Sequence, residues 1–188
     1  MRDKLRTVLK TLASFEEGEL DKIVSCFKPK SMKRNTLLLR EGEICKAFYY
    51  LYTGSIRTYF MDRTGREKTL YVMLDCTIGT AMTSFISQRP SFEFIEVLED
   101  SEMLSISHHD FFRLNREIDH LRIFYQKIRE MAFTFQTRKI ETLVTLTAKQ
   151  RYELLLQESP AFIQRLSNRI LATYLDVREE TLSRLKST

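Results

Sequence analysis

Residues 114–143 read LNREIDHLRIFYQKIREMAFTFQTRKIETL, thirty residues without a glycine or a proline. Apolar residues recur there as Leu114, Ile118, Leu121, Tyr125, Ile128, Ala132 and Phe135, in steps of four and three. A period of about 3.5 residues is the seam of a helix that lies against another helix. Thirty helical residues would span about 45 Å, more than a small domain needs across its own core. The spacing predicts a connecting helix that pairs with a second copy of the chain. Its interface would be Ile118, Leu121, Tyr125, Ile128, Ala132 and Phe135, because such helices pair symmetrically. Past Phe135 the seam ends. Lys139 and Thr142 hold the next positions, and Ile140, Leu143, Val144 and Leu146 continue an apolar stripe on a shifted face.

Upstream of this helix the pattern is that of strands. The apolar runs are Thr36–Leu39, Ala47–Tyr52, Ile56–Met61, Lys68–Leu74, Phe92–Leu98 and Met103–Ile106, with Gly42, Gly54 and Gly65 at the breaks. β-branched and aromatic residues in short runs separated by glycines predict strands. Asp62-Arg-Thr-Gly65 predicts a hairpin turn in which Gly supplies a positive φ. Many short strands with even punctuation imply a closed barrel or two packed sheets. One interruption, Ile78–Ser87, carries helical spacing. Ahead of the strands, residues 3–27 read as helical. There Ser14-Phe-Glu-Glu17 has capping-box spacing, Leu20, Ile23, Val24 and Phe27 follow at helical intervals, and Pro29 ends the segment.

Downstream the segments are short. Thr147–Gln157 has Tyr152, Leu154 and Leu155 to bury, Ser159-Pro160 reads as cap and first helical position, and Ser167 caps Asn168–Leu175. The turn Leu175-Asp-Val-Arg178 leads to Glu179–Lys186, with Leu182 and Leu185 inward. Two short helices joined this tightly predict a helix-turn-helix.

Composition narrows the classes. The chain has 188 residues, hydrophobic content of 43% and no low-complexity tract. That is enough for one large domain or two small ones. Cys26, Cys45 and Cys76 are scattered without CxxC spacing, which argues against a disulfide framework or a zinc site. No apolar run reaches the roughly 20 residues of a membrane span. The N-terminal residues lack the pattern of a signal peptide, so a cytoplasmic protein is expected. The net charge of +5 is uneven. Residues 1–114 carry 17 Lys/Arg against 16 Asp/Glu, and residues 115–188 carry 13 against 9. A basic C-terminal half suits a partner with phosphates. There is no nucleophile–base pairing and no Walker-type or GxSxG motif. His108 and His109 are adjacent and point apart on a helix, and His120 has no ligand set around it. Nothing in the sequence points to an enzyme.

Arg40-Glu-Gly-Glu43, Tyr52-Thr-Gly54, Gly65-Arg-Glu67 and Gly79 before a short helix occur in an order that resembles the sensor of one regulator family. That family is the cyclic-AMP receptor/fumarate–nitrate regulator (Crp/Fnr) transcription factors, and the long helix and C-terminal segments extend the resemblance over nearly the whole chain. It implies an α+β fold: a β-roll (jelly-roll) sensor over residues 1–115, a dimerisation helix over 116–146 and a DNA-binding helix-turn-helix over 147–188. The implied partners are double-stranded DNA and a second copy of the chain, with no membrane.

In ligand-binding members a Gly-Glu pair opens a phosphate-binding cassette, and an Arg followed by a hydroxyl residue and Ala neutralises the phosphate. Here Gly79 is followed by Thr80, Arg89 precedes Pro90, and Ser91 precedes Phe92. Losing a buried charge contact of this type costs about 2–5 kcal/mol. The expectation is a degenerate cyclic-nucleotide pocket around Gly79, Thr80, Arg89 and Ser91, with an unidentified small-molecule effector or none. By the same resemblance, Thr181, Ser183 and Arg184 would face DNA, with Arg184 on guanine and Glu180 on cytosine N4. Ser167, Asn168, Arg169 and the nearby Arg165 would hold phosphates. Three departures accompany the match. Asp176 stands where the family usually has Gly, Glu179 replaces a base-reading Arg or a neutral residue, and the sequence ends at Thr188, just after the second helix.

Overall fold

The computed structural model describes residues 1–187. Two compact units divide the chain. One comprises Met1–Thr58 and Val72–Met131, and the other Tyr59–Tyr71 and the residues from Ala132 onward.

The first unit opens with α1 (Arg2–Leu12) and α2 (Glu17–Cys26). The capping box lies two residues beyond the predicted position. Glu16 is the cap, and the Glu19 carboxylate accepts from the Glu16 amide at 2.9 Å. Glu19 also meets His120 Nδ1 at 2.8 Å, a contact 101 residues away that draws the box to this register.

Eight strands follow: β1 (Lys28–Met32), β2 (Leu37–Leu39), β3 (Ala47–Thr53), β4 (Ile56–Met61), β5 (Glu67–Met73), β6 (Thr77–Gly79), β7 (Phe94–Val97) and β8 (Ser101–Ser107). They form two four-stranded sheets, ordered β1-β8-β3-β6 and β2-β7-β4-β5. This is the β-roll with its two packed sheets. β1 was not anticipated because Pro29 sits inside it; as an edge strand it has no need of that residue's missing amide. Gly54 has φ +108°, and a Cβ there would meet Ser101 Oγ at 2.1 Å. Only glycine fits where these two backbones approach.

The helical interruption is shorter than its spacing suggests. β6 occupies its first residues, and α3 runs only over Met82–Ser87. Phe48, Phe85, Phe111, Phe112 and Tyr125 form one aromatic cluster that fixes α3, α4 (His108–Glu117) and the start of α5 (Asp119–Thr145) to β3. Edge-to-face ring pairs of this kind each add about 0.5–1.5 kcal/mol beyond their burial.

The expected single helix over 114–143 is therefore two. Ile118 is extended (φ −124°, ψ 109°) and ends α4, while Asp119 starts α5 with its carboxylate at the positive end of the helix dipole. Leu114 belongs to α4. Ile118, Leu121, Tyr125 and Ile128 are 1–7% exposed, already covered within one chain. Ala132 and Phe135 are half-buried, with Phe135 edge-on to Tyr71 at 5.0 Å. The seam read from the sequence is thus mostly a core-facing stripe. The apolar residues that α5 leaves exposed are Ile123, Met131, Phe133, Ile140, Leu143 and Val144.

The second unit contains the end of α5 with α6 (Ala148–Glu158), α7 (Pro160–Arg165), α8 (Asn168–Leu175) and α9 (Glu179–Lys186). Thr147 and Gln150 form a capping box for α6, Pro160 opens α7, and Ser167 Oγ accepts from the Ile170 amide. Tyr152, Leu155, Leu166, Ile170, Leu171, Leu175 and Leu182 are buried as this unit's core. No helix among the described residues is long and apolar enough to cross a membrane.

Candidate functional site

The candidate cassette is built from the β6–α3 segment and the turn after it. Gly79 pairs with Tyr49 across the sheet, and Met73 Sδ fills the space a side chain on Gly79 would take. Thr80 Oγ1 donates to the Ala47 carbonyl at 2.7 Å and lies 3.0 Å from Cys45 Sγ. Ala81 caps α3 without a side-chain acceptor. Ser84 Oγ donates to the Arg89 carbonyl at 2.6 Å and accepts from the Cys45 amide at 3.0 Å. Gln88, in a left-handed conformation, closes the turn through its side-chain amide to the Cys45 and Phe85 carbonyls.

Arg89 is exposed, Pro90 fixes the chain after it, and Ser91 is buried. Ser91 Oγ is turned back on Glu93, donating to its carbonyl and accepting from its amide. The predicted ligand residues therefore share one stretch of chain, but the hydroxyls of Thr80 and Ser91 already have backbone partners. Thr80, and no carboxylate, directly follows Gly79, and the one cation of this stretch, Arg89, is exposed. Deeper in the roll, fully buried Arg57 donates to Glu96 through Nε at 2.7 Å, with Nη2 2.5 Å from the same carboxylate. Burial raises the pKa of Glu93, whose Oε2 has no hydrogen-bond partner.

The second candidate surface lies on α8 and α9. Asp176 takes the left-handed conformation (φ 54°, ψ 51°) that a short polar side chain tolerates, and the Val177 amide donates back to the Ala172 carbonyl at 3.0 Å. That turn lets α9 bury Leu182 completely while Glu180, Ser183 and Arg184 stay exposed on its other face and Glu179 and Lys186 stay exposed at its ends. Thr181 is half-buried beside them. On α8, Ser167, Asn168 and Arg169 are exposed at the helix start. Asn168 Oδ1 accepts from Lys186 Nζ at 2.6 Å, which ties the start of α8 to the end of α9.

One contributor escaped the sequence reading. The β4–β5 hairpin tip belongs to the same compact unit as these helices. Glu67 accepts from Arg169 Nη1 at 2.9 Å, Lys68 bridges to the Asp176 carboxylate, and the Thr69 and Thr173 hydroxyls meet at 2.6 Å. The hairpin turn is held by Asp62 Oδ1, which accepts from the Thr64 hydroxyl and from the Thr64 and Arg66 amides. These bonds, led by the Thr64 hydroxyl, bring the Asp62 pKa down to about 2. More than 100 residues separate Glu67 from Arg169, so no local pattern signals the pair. Among the described residues no cluster of His, Cys, Asp or Glu has the arrangement of a metal site.

Residues 29–117 match the family model of the cyclic nucleotide-binding domain. The chain is 26% identical over 173 residues to the anaerobic regulatory protein of Pasteurella multocida, covering 92% of this chain. It spans only 59% of that relative's length. In fold it is similar to the c-di-GMP-responsive global regulator CLP of Xanthomonas campestris, with a TM-score of 0.72, 20% identity and coverage of 90% and 89% of the two chains. It is also similar to FixK2 of Bradyrhizobium japonicum, with a TM-score of 0.76, 17% identity and coverage of 86% and 83%. Residues 29–117 thus match the cyclic nucleotide-binding domain, and with a long helix and short C-terminal helices after it the chain is similar in fold to regulators of the Crp/Fnr type.

Proposed function

We propose that the chain is a sequence-specific, DNA-binding transcription regulator that acts as a homodimer. The observation that carries this reading is the exposed face of α9, where Glu180, Ser183 and Arg184 stand opposite buried Leu182 after a tight turn. A helix presented this way enters a major groove with its polar face toward base edges. Arg184 would read guanine O6 and N7, Glu180 would accept from cytosine N4, and Thr181 and Ser183 would contact neighbouring bases. Ser167, Asn168 and Arg169 would hold phosphates, which fix register without reading sequence. A dimer places two such helices about 34 Å apart, so the operator would be a palindrome with half-sites one turn apart.

The pairing surface in this reading is the exposed stripe of α5, in place of the seam that the core already uses. Ile123, Phe133, Ile140 and Val144 fall on one 3.5-residue register, with Gln126, Glu130 and Thr137 between them. The sensor of this reading does not take a cyclic nucleotide.

The alternative is a ligand-sensing or protein-interaction module that no longer binds DNA. The Glu67–Arg169 pair favours it, since it occupies a cation that phosphate binding would need. Selection from a random duplex library separates the two. Recovery of a palindrome, with affinity falling steeply as salt rises, supports the regulator. Arg184→Ala should then weaken the selected site by about 1–3 kcal/mol and relax one base position. No enrichment, or binding indifferent to salt, supports the alternative.

A further inference from the structure

The C-terminal unit carries a groove of about 410 Å³ whose walls include Arg138, Lys139, Arg151, Leu154, Glu158 and Tyr174. Most polar groups in it have structural work. Arg151 donates to the Leu146 carbonyl at 2.7 Å and to the Leu175 carbonyl at 2.9 Å, so it caps the C-terminal ends of α5 and α8. Arg138 is paired with Glu158. Lys139 is different in kind. Its Nζ donates to the Tyr174 carbonyl at 2.5 Å and lies 3.3 Å from the centroid of the Tyr174 ring. A carbonyl and a ring face hold the amine without neutralising it. Asp176, which favours the ammonium electrostatically, is itself bridged to Lys68.

We propose that Lys139 is an acylation site, accepting an acyl group from a donor with a phosphate-bearing leaving group: an acyl phosphate, or an acyl thioester of a phosphate-bearing carrier. The amine nitrogen attacks the acyl carbon and an N–C bond forms. The C–O bond to phosphate, or the C–S bond to the carrier, breaks with its electron pair, and the amine proton passes to solvent. No redox partner is involved. Arg138 and Arg151 outnumber Glu158 on the groove walls, a charge balance that draws an anionic donor. Burial first, and the Arg151 charge second, bring the Lys139 pKa down to about 8. At pH 7.4 roughly one amine in five is then the free base, against fewer than about one in a thousand for an ordinary lysine. The amide product is neutral, so it removes the cation from the Tyr174 ring and from the C-terminal end of α8.

The test uses the full chain at pH 7.5, incubated with acetyl phosphate or with acetyl-coenzyme A, and follows each lysine peptide by mass spectrometry. Lys139 should be acetylated about tenfold faster than exposed Lys127 and Lys149 with at least one donor, a lower-pKa amine being more abundant but intrinsically less nucleophilic. Its rate should bend near pH 8, and the preference should vanish in denaturing urea. The faster donor identifies the source. Labelling of Lys139 no faster than Lys149 with both donors overturns the proposal, as does a preference that survives unfolding.

Discussion

Arg57 and Glu96 set what one substitution does inside the roll. The guanidinium is fully buried, and Glu96 meets it with a carboxylate that is 12% exposed. Glu96→Ala removes that carboxylate from a buried guanidinium, and urea denaturation should register a loss of about 3 kcal/mol. A paired Arg57→Met, Glu96→Leu variant should recover most of it, because the desolvation cost goes with the charges. Lys139 gives a pH dependence of known sign. Its folded pKa, about 8, lies below the ordinary 10.5, so charge costs stability in full below pH 8. That cost is relieved as pH rises from 8 to 10.5. Against Lys139→Met, wild type should gain up to about 3 kcal/mol across that window in pH-stepped denaturation. The variant should lack the increment. Asp176 was legible at this scale, since its residue type tolerates the left-handed turn. Thr80 was legible only as the wrong residue for a ribose, and its true partner, the Ala47 carbonyl, lies 33 positions away.

At the scale of elements, boundaries written in local chemistry were readable and boundaries set by distant packing were not. Ser167 caps α8 as read, and Thr147 caps α6 by the same local chemistry, Thr and Gln three residues apart satisfying each other's amides. Thr147→Ala should cost about 1 kcal/mol, seen as a lower denaturation midpoint of the C-terminal unit by hydrogen exchange within α6. The α2 box moved because Glu19 answers to His120 as well as to Glu16. The break at Ile118 was hidden for a related reason. The four-and-three spacing of apolar residues runs across it unbroken, yet Ile118 turns into the core and Asn115 reaches over to the Leu121 carbonyl. Periodicity alone does not tell a stripe facing one's own core from a stripe facing a twin. Only the solvent exposure of Phe133 (72%) and Val144 (78%) separates them.

At the scale of the whole molecule, that exposure has a consequence for assembly. Phe133→Glu with Ile140→Glu places two carboxylates on the exposed stripe of α5 and touches nothing buried. On the pairing proposed above, sedimentation should show a wild-type dimer replaced by a single-chain species with unchanged circular dichroism; a variant that still sediments as a pair would move the interface elsewhere. The two compact units also interleave along the chain, since residues 59–71 leave the first unit to join the second and then return. A protease that nicks the chain between Met131 and Ala132 cuts one of three crossings. Residues 59–71 would stay covalently joined to the N-terminal fragment while Glu67, Lys68 and Thr69 keep their grip on Arg169, Asp176 and Thr173 of the other. The nicked pieces should therefore travel together on a sizing column and part only in denaturant, so the two compact units are not modules that one scissile bond can release from each other.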